Sequence, residues 1–323
     1  MRVFVTGGTG FVGAATVRVL RAAGHQVTVL LLPGEPATAL GAGVGSVRGD
    51  ITRPETLTGL LDGHDAVVHL AGAVGYGQTM NTCTALNTRG SIHVAQAAVA
   101  AGTRRFLHMS SVSVYGRATG VPIDEDAPLR KIGDPYGDTK IDAELAVRRL
   151  AAAGLLDLSV VRPTVLYGPG DRLFLPKLLE NVSSGRARRI GRADHRVDLL
   201  HVDDAAAFFE LLLREPRSVG ETYNLNHPSN PTWTQLLDIV ADAAGRPPIR
   251  NRLPYPLAFG LAAVLEATAA LTGRPPRLTR YAVRVVGRRY DYRIGRALAL
   301  GFVPRIEPEA GLRAAVRQLM AAS

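Results

Sequence analysis

The chain has 323 residues, of which 46% are hydrophobic and 20% charged, and its formal net charge at pH 7 is +10. This balance is ordinary for a globular protein and excludes a chain that is disordered or collagen-like throughout. No apolar run approaches the roughly 20 residues that a membrane-spanning helix needs. A single cysteine, Cys83, cannot form an internal disulfide, and it is interpreted as an inert thiol. With no leader pattern at the N-terminus, we expect a cytoplasmic protein.

In the first half of the chain, short apolar runs alternate with helical patterns. The runs predict strands at 3–6, 26–32, 45–48, 66–70, 105–110 and 158–162. The helical patterns lie between them, at 11–23, 54–61, 85–101 and 135–153. Strands that alternate with helices favour a parallel sheet covered on both faces. The expected fold class is therefore α/β, with a Rossmann-type doubly wound parallel sheet.

The second half is less regular. Helical patterns occur at 173–182, 203–214, 233–244 and 257–271, and prolines interrupt the rest. The short run Thr222–Leu225 is predicted to return to the main sheet as a further strand. We therefore expect an NAD(P)-binding domain over residues 1–168 and a smaller, mostly helical substrate-binding domain over residues 169–323.

A glycine-rich turn follows the first strand, in the sequence Gly7-Gly8-Thr9-Gly10-Phe11-Val12-Gly13. Glycines here permit a tight turn, let the backbone approach a pyrophosphate, and let the helix pack closely on the strand. The helix N-terminus then offers free N–H groups to the phosphates. An ordinary strand-to-helix turn is the alternative. Because the motif has the required strand and helix on either side, it predicts dinucleotide binding, with contacts at Gly7, Gly10, Phe11, Val12 and Gly13.

The identity of the dinucleotide depends on the end of the second strand. An acid there binds the 2′-hydroxyl of NAD, whereas an arginine suits the 2′-phosphate of NADP. The strand ends in Leu30-Leu31-Leu32-Pro33, with neither residue type. Glu35 lies slightly beyond and could reach back, although a solvated loop carboxylate is its ordinary interpretation. NAD and NADP both stay open.

Tyr136 and Lys140 are four residues apart at the start of a predicted helix, so they share one helical face. An exposed helical pair is the ordinary alternative. A lysine ammonium beside a phenol is expected to lower the pKa of the tyrosine from about 10, which suits Tyr136 to proton transfer. Ser111 follows an apolar strand, so its hydroxyl is predicted at the carboxyl edge of the sheet, where ligands bind. These three residues are the candidate catalytic set, and Tyr76 and Ser113 are candidate substrate contacts.

Together these residues resemble the extended short-chain dehydrogenase/reductase family, which includes the NAD-dependent epimerases and dehydratases. Thr6–Gly13 matches its Thr-Gly-x-x-Gly-x-x-Gly fingerprint, and Ser111, Tyr136 and Lys140 match its catalytic residues. The resemblance implies a bound NAD or NADP, with Lys140 also holding the nicotinamide ribose, and often a homodimer. It implies further cofactor contacts at Asp50, Ile51, Leu70, Ala71, Gly72, Asn87, Tyr136, Lys140, Pro163 and Val165.

One position bears on the branch of the family. Nucleotide-sugar members usually carry an arginine directly before an Asp-x-x-His-Val-Asp-Asp segment, and that position here is Val197, with Arg196 one residue earlier. A one-residue slip on an extended segment turns the side chain to the other face. The C-terminal third is similar to the 3β-hydroxysteroid dehydrogenase and β-keto acid reductase branch. The expected function is interconversion of a secondary alcohol and a ketone on a bulky apolar substrate. A nucleotide-sugar epimerase or dehydratase, and a non-catalytic NAD(P)-binding sensor or subunit, are the alternatives.

The positive charge is concentrated between Arg274 and Arg296, where eight arginines accompany one acid. A helix would align four of them in one basic stripe, namely Arg277, Arg280, Arg284 and Arg288. A solvated face is the ordinary interpretation of such a stripe. An anionic membrane surface, an acidic carrier and a carboxylate- or phosphate-bearing substrate are alternatives. No nucleic-acid recognition motif accompanies the charge, so no nucleic-acid partner is expected. No Cys/His cluster has metal-ligand spacing, so no metal site is expected either.

Overall fold

The computed structural model of the protein describes residues 1–74, 78–116, 122–191, 195–272 and 278–321. The strands in chain order are β1 Arg2–Thr6, β2 Gln26–Leu31, β3 Gly45–Arg48, β4 Ala66–His69, β5 Arg105–Met109, β6 Asp157–Pro163, β7 Val165–Tyr167, β8 Arg189–Ile190, β9 Leu199–His201, β10 Thr222–Leu225 and β11 Arg252–Leu253. The helices are α1 Phe11–Ala22, α2 Met80–Cys83, α3 Gly90–Ala100, α4 Pro135–Ala152, α5 Leu175–Ser183, α6 Val202–Arg214, α7 Trp233–Ala243, α8 Tyr255–Thr272, α9 Arg280–Gly287, α10 Gly295–Leu300 and α11 Pro308–Ala321.

Seven strands form one parallel sheet in the order β10-β6-β5-β4-β1-β2-β3. The chain reverses its direction of strand addition between β1 and β4, which is the switch point where doubly wound sheets bind dinucleotides. The predicted α/β class is confirmed. The returning strand is confirmed too, because β10 pairs with β6 in register from Thr222 opposite Val160.

Each face of the sheet is covered by helices. On one face, Leu20 of α1 and Phe208 of α6 are buried with strand residues such as Val29. On the other face, Val94 of α3 and Val147 of α4 are buried with the opposite side of the strands. Full burial of each such side chain stabilises the fold by roughly 1.5–3 kcal/mol. The sheet is thus held between two apolar layers, and its carboxyl edge is left to the loops.

A third apolar cluster lies outside the sheet. Trp233 and Leu236 of α7 pack with Leu175 of α5 and Leu312 of α11. Two small parallel pairs, β7 with β9 and β8 with β11, connect this region to the main sheet. None of the described helices is long and apolar enough to cross a membrane.

Two predicted helices differ from the observed ones. The predicted helix at 54–61 is wrong, since only a 3-10 turn occurs at Pro54–Leu57, and Gly59 then takes a φ of +72°. The helix expected from residue 85 begins earlier, at Met80, and contains a π-helical turn at Thr84–Arg89. Two arginines of the predicted basic stripe, Arg280 and Arg284 of α9, contact residues of α8. Arg274 and Arg277 lie outside the described residues.

Candidate active site

The glycine-rich turn between β1 and α1 leaves no room for side chains. Gly7 has a φ of +70°, and a Cβ there would lie 2.7 Å from the backbone nitrogen of Ala71. A Cβ on Gly13 would lie 1.9 Å from the carbonyl oxygen of Gly7. No side chain caps the N-terminus of α1, and no acid occupies its first turn, which begins with Phe11 and Val12. The positive end of α1 and its first N–H groups therefore face a cradle that fits a dinucleotide pyrophosphate.

The residues expected near the adenosine lie at the carboxyl ends of β3 and β4. The Asp50 carboxylate accepts hydrogen bonds from both the backbone N–H and the hydroxyl of Thr52, each at 2.8 Å. Ile51 is buried and packs closely on Gly90. A Cβ on Gly90 would lie 2.7 Å from the Cδ1 of Ile51. Beyond β4, Leu70 is buried, and the Ala71 N–H donates to the Thr6 hydroxyl at 3.3 Å. These bonds fix the shape of the edge.

Asn87 links this edge to α4. It lies in the π-helical turn, a conformation that frequently occurs at functional sites. Its Oδ1 accepts from the Ala73 N–H at 2.8 Å, and its Nδ2 donates to the Thr139 hydroxyl at 3.1 Å. A Cβ on Gly72 would lie 2.7 Å from the Asn87 Oδ1 and 3.4 Å from the Lys140 Nζ. Glycine is therefore required where these two side chains meet β4.

The start of α4 is fixed by two carboxylates. Asp134 caps the helix by accepting from the Gly137 N–H at 2.7 Å, with Pro135 at the first helical position. Asp138 accepts from the N–H groups of Ile132 and Gly133, which holds the incoming loop. Tyr136 and Lys140 are consequently presented from a well-anchored helix end.

Lys140 is buried at the carboxyl end of β5. Its Nζ donates to the carbonyl oxygen of Met109 at 2.8 Å. Burial lowers the pKa of Lys140 to about 8, and the nearby Glu144 carboxylate acts in the opposite direction. His69 and His108 are buried beneath it and stack at 5.6 Å between ring centroids. Burial, together with the Lys140 charge, holds the pKa of both histidines well below the usual range, so both are neutral.

Tyr136 lies beside Ser111. Burial raises the pKa of Tyr136 to about 12, while its hydrogen bond with the Ser111 hydroxyl acts in the lowering direction. The predicted pKa below 10 is wrong for the residue as the fold places it, because burial outweighs any charge and Lys140 is bonded to Met109. Ser111 also caps a 3-10 turn at Val112–Tyr115, accepting from the Ser113 N–H at 3.2 Å. The phenol of Tyr136 and the alcohol of Ser111 thus meet at the carboxyl edge of the sheet.

Three other predicted contacts, Ser113, Pro163 and Val165, lie at or after the carboxyl ends of β5 and β6. Cys83 is fully buried next to Tyr136, and burial raises the pKa of its thiol. The Ser113 hydroxyl is buried without a hydrogen-bond partner among the described residues. Pro163 ends β6, and Val165 in β7 donates its N–H to the Asp198 carbonyl at 3.2 Å. Tyr76 lies outside the described residues.

Glu35 is a residue that sequence analysis undervalued. One oxygen of its carboxylate accepts from the Thr9 hydroxyl in the glycine-rich turn, and the other accepts from the Leu32 N–H at 3.0 Å. Arg48 closes the loop by donating to the carbonyls of Leu32 and Glu35. The solvated interpretation of Glu35 is therefore wrong. The signal in the sequence was Gly34, whose φ of +88° lets the chain fold back.

Glu144 was missed altogether. It forms a buried ion pair with Arg162 of β6, and Arg162 also donates to the hydroxyl of Tyr115 at 2.6 Å. Its position four residues after Lys140 repeats the spacing of Tyr136 and Lys140, which was the available signal. The pair anchors the catalytic face of α4 to the sheet.

The sheet order, the glycine-rich turn at its first crossover and the tyrosine–lysine edge define a Rossmann-type enzyme that uses a nicotinamide dinucleotide. A sequence model of the NAD dependent epimerase/dehydratase family matches residues 3–226. The chain belongs to that family, as its resemblance implied.

Relatives within the family differ in substrate. A 2-alkyl-3-oxoalkanoate reductase of Stenotrophomonas maltophilia is 31% identical over 327 residues, covering 97% of this chain and 98% of the relative. A 3 beta-hydroxysteroid dehydrogenase/Delta 5→4-isomerase of Mycobacterium tuberculosis is 30% identical over 264 residues, covering 76% and 70%. The crystal structure of the dTDP-glucose 4,6-dehydratase DesIV from Streptomyces venezuelae, with NAD and TYD bound, has a TM-score of 0.78 at 25% identity, covering 99% and 97%. The chain is an enzyme of this NAD-dependent class.

Proposed function

We propose that the protein is an NAD(P)-dependent reductase or dehydrogenase that interconverts a ketone and a secondary alcohol on a bulky, largely apolar substrate. The observation that carries this proposal is the place of Val197. Its side chain is only 3% exposed and packs in the cluster around Trp233. Arg196 is exposed and donates to the Pro228 carbonyl at 3.0 Å. An apolar core residue therefore stands where nucleotide-sugar members usually have a phosphate-binding arginine.

The relatives support the same substrate class. The reductase of Stenotrophomonas maltophilia acts, by its name, on a 2-alkyl-3-oxoalkanoate, and the mycobacterial relative on a 3β-hydroxysteroid. Both substrates carry an oxygen on a secondary or ketone carbon next to a large apolar body. We propose that residues 169–323 supply the apolar pocket, with Ser113 and Tyr76 as further substrate contacts.

In the proposed reaction, Tyr136 transfers the proton. The cofactor, when bound, supplies the hydride to the carbonyl carbon or accepts it from the alcohol. The Ser111 hydroxyl donates a hydrogen bond to the substrate oxygen and orients it. Because burial raises the pKa of Tyr136 to about 12, its phenol is protonated at neutral pH and is set to donate its proton to the oxygen of a ketone undergoing reduction. The Lys140 ammonium stabilises the phenolate that is left.

The cofactor-binding residues fit either nicotinamide dinucleotide along most of its length. We propose that the glycine-rich turn holds the pyrophosphate and that Lys140 and Asn87 hold the nicotinamide end. The remaining proposed contacts line the edge between them, at Asp50, Ile51, Leu70, Ala71, Gly72, Pro163 and Val165. The Glu35 carboxylate, bonded at the end of β2, supports NAD over NADP, since it would accept a ribose hydroxyl and repel a 2′-phosphate.

A substrate panel tests the proposal. Purified protein would be assayed with NADH and NADPH against a long-chain 2-alkyl-3-oxoacid, a 3-ketosteroid and dTDP-glucose, by following nicotinamide absorbance and product mass. We expect reduction of one of the two ketones. Turnover of the nucleotide sugar alone would contradict the proposal.

The second candidate is a nucleotide-sugar epimerase or dehydratase, which the likeness to DesIV favours. In such an enzyme the hydride leaves and returns within one cycle, so the dinucleotide would stay bound through dialysis. A non-catalytic sensor or subunit would keep the cofactor and turn over none of the panel. Cytoplasmic location and homodimer formation stay predictions.

A further inference from the structure

Helix α8 presents an apolar face to solvent. Leu257, Leu261 and Val264 have exposed fractions of 62%, 48% and 59%. Their spacing of four and three residues places them on one side of the helix. Between them, a Cβ on Gly260 would meet no atom within 4 Å, so the described residues leave this side open.

The opposite side of α8 is apolar too. Ala258 and Ala262 are fully buried against Ile190 and Val283. A helix that is apolar on all sides is normally buried, and a contiguous exposed apolar patch marks a contact with another molecule or a membrane. Glu266 is the single charged residue in α8, and its carboxylate is bonded to Arg280. Thr268 continues the exposed side of α8, and its hydroxyl is bonded to the Leu265 carbonyl of the same helix.

Arginines gather at the N-terminal end of this helix. The pairing of α9 with α8 is antiparallel, since Arg280 at its start binds Glu266 while the Arg284 guanidinium lies 5.1 Å from the ring of Phe259. Gly287 at the end of α9 lies against Tyr255, so close that a Cβ would be 2.3 Å from the ring. Because Gly287 contacts Tyr255, the next residue, Arg288, lies by the first turn of α8. Arg288 is exposed.

Two further arginines precede α8 directly. Arg250 and Arg252 are both exposed, and the sequence has no acid between Asp242 and Glu266. The apolar stripe thus ends in a basic group. A contact between two copies across this face would bring these arginines no free acid from α8, because Glu266 is already bonded to Arg280. A negatively charged apolar surface complements both parts of the face at once.

We propose that this α8 face, defined by Leu257, Leu261, Val264, Arg250, Arg252 and Arg288, docks on the surface of an anionic lipid bilayer. Helix α8 would lie in the plane of the interface, with its aliphatic side chains among the acyl chains and the arginines on the headgroup phosphates. The inference does not depend on which substrate the enzyme reduces.

Vesicle sedimentation with the full chain tests the proposal. We expect binding to vesicles of phosphatidylglycerol and phosphatidylcholine, little binding to phosphatidylcholine alone, and weakening by salt. The variant L257S/L261S/V264S is expected to reduce the partition constant by about tenfold or more, since each side chain loses its apolar insertion. The variant R250Q/R252Q/R288Q is expected to lose about fivefold per arginine.

Matched controls keep the test specific. L145S/L298S changes two leucines that are exposed to a similar degree elsewhere, and R53Q/R149Q removes two exposed arginines elsewhere. Both controls should sediment like the wild type. NAD affinity and thermal melting check that every variant is folded.

Three outcomes would overturn the proposal. The first is absence of wild-type binding to anionic vesicles at low salt. The second is equal binding by the wild type and the L257S/L261S/V264S variant. The third is a change of oligomeric state in that variant without a change in vesicle binding, which would make the face a contact between copies of the chain.

Discussion

The Lys140 ammonium donates a hydrogen bond to the carbonyl oxygen of Met109, the last residue of β5, at 2.8 Å. This bond joins α4 to β5, the strand that lies between β4 and β6 in the parallel sheet. It also sets the Nζ beside Gly72, 3.4 Å from the place that a Cβ there would take. The charge proposed to hold the nicotinamide ribose is thus itself held by the backbone of β5.

Cofactor binding should weaken in alkaline solution. Burial lowers the pKa of Lys140 to about 8, so the ammonium is present below that pH and loses its proton as the pH rises through it. We expect the Kd for NADH, measured by fluorescence between about pH 6.5 and 9.5, to rise above pH 8. Lys140→Met should bind weakly with no such step, whereas Lys131→Gln, at an exposed lysine, should keep the step. A flat wild-type curve would contradict the assignment.

Removal of the Tyr136 hydroxyl should affect turnover and spare binding. Tyr136→Phe is expected to lower kcat by about 10²–10⁴-fold, the usual contribution of a positioned proton donor. The Kd for NADH should stay within about twofold, because the ring still packs as before. Tyr223→Phe, at a buried tyrosine of β10, is the control. Wild-type turnover in Tyr136→Phe would remove this residue from the mechanism.

Glu35 should decide between the two dinucleotides. Its carboxylate is bonded to Thr9 and to the Leu32 N–H at the end of β2. We expect the wild type to bind NAD more tightly than NADP in calorimetry, and Glu35→Gln to narrow the ratio of the two Kd values by about tenfold. Glu55→Gln, at an exposed carboxylate, should leave the ratio unchanged. Equal wild-type affinities would contradict this role.

Gly13→Ala should be damaging although it lies in a helix. Alanine in a helix interior normally gains roughly 0.5–1 kcal/mol over glycine. Here its Cβ would lie 1.9 Å from the Gly7 carbonyl, so the glycine-rich turn must move. We expect a lower Tm and loss of NAD binding by about 100-fold. The matched change Gly295→Ala, with no atom within 4 Å, should preserve both.

The stacked histidines should make the fold sensitive to acid. The pKa values of His69 and His108 are held well below 6.5, so the unfolded chain takes up these protons first as the pH falls. Their contribution to stability is complete above about pH 6.5 and is lost progressively below it. Urea unfolding at about pH 7.5 and 5 measures the drop in the free energy of unfolding. His108→Phe should show a smaller drop than the wild type.

Much of the sheet can be predicted from the chain itself. β3 and β10 have the predicted bounds, because turn-forming residues on either side limit each short strand. The glycine-rich turn and the Tyr136–Lys140 pair are also visible as local spacings, and the order of strand and helix predicts their common edge. These features depend on neighbours in sequence, which a single chain displays directly.

The features that sequence could not predict depend on contacts between distant residues. The bond between Lys140 and Met109 joins positions 31 residues apart. The pKa of Tyr136 is raised rather than lowered because burial outweighs its hydrogen bond with Ser111, which belongs to another element. The turn at Pro54–Leu57 stops short of a helix because the backbone at Gly59 takes a positive φ. In each case, the feature is determined by a residue of another element or by a backbone conformation, and neither produces a periodic pattern in the sequence.

The place of β10 constrains how such a protein evolves and how it can be divided. The outermost strand beside β6 comes from the half of the chain that follows the predicted boundary at residue 168. A gene cut at that boundary would leave β6 with an unpaired edge, open to pairing with other chains. Recombination between relatives that exchanges the part of the chain after residue 168 must therefore also exchange a strand of the parallel sheet.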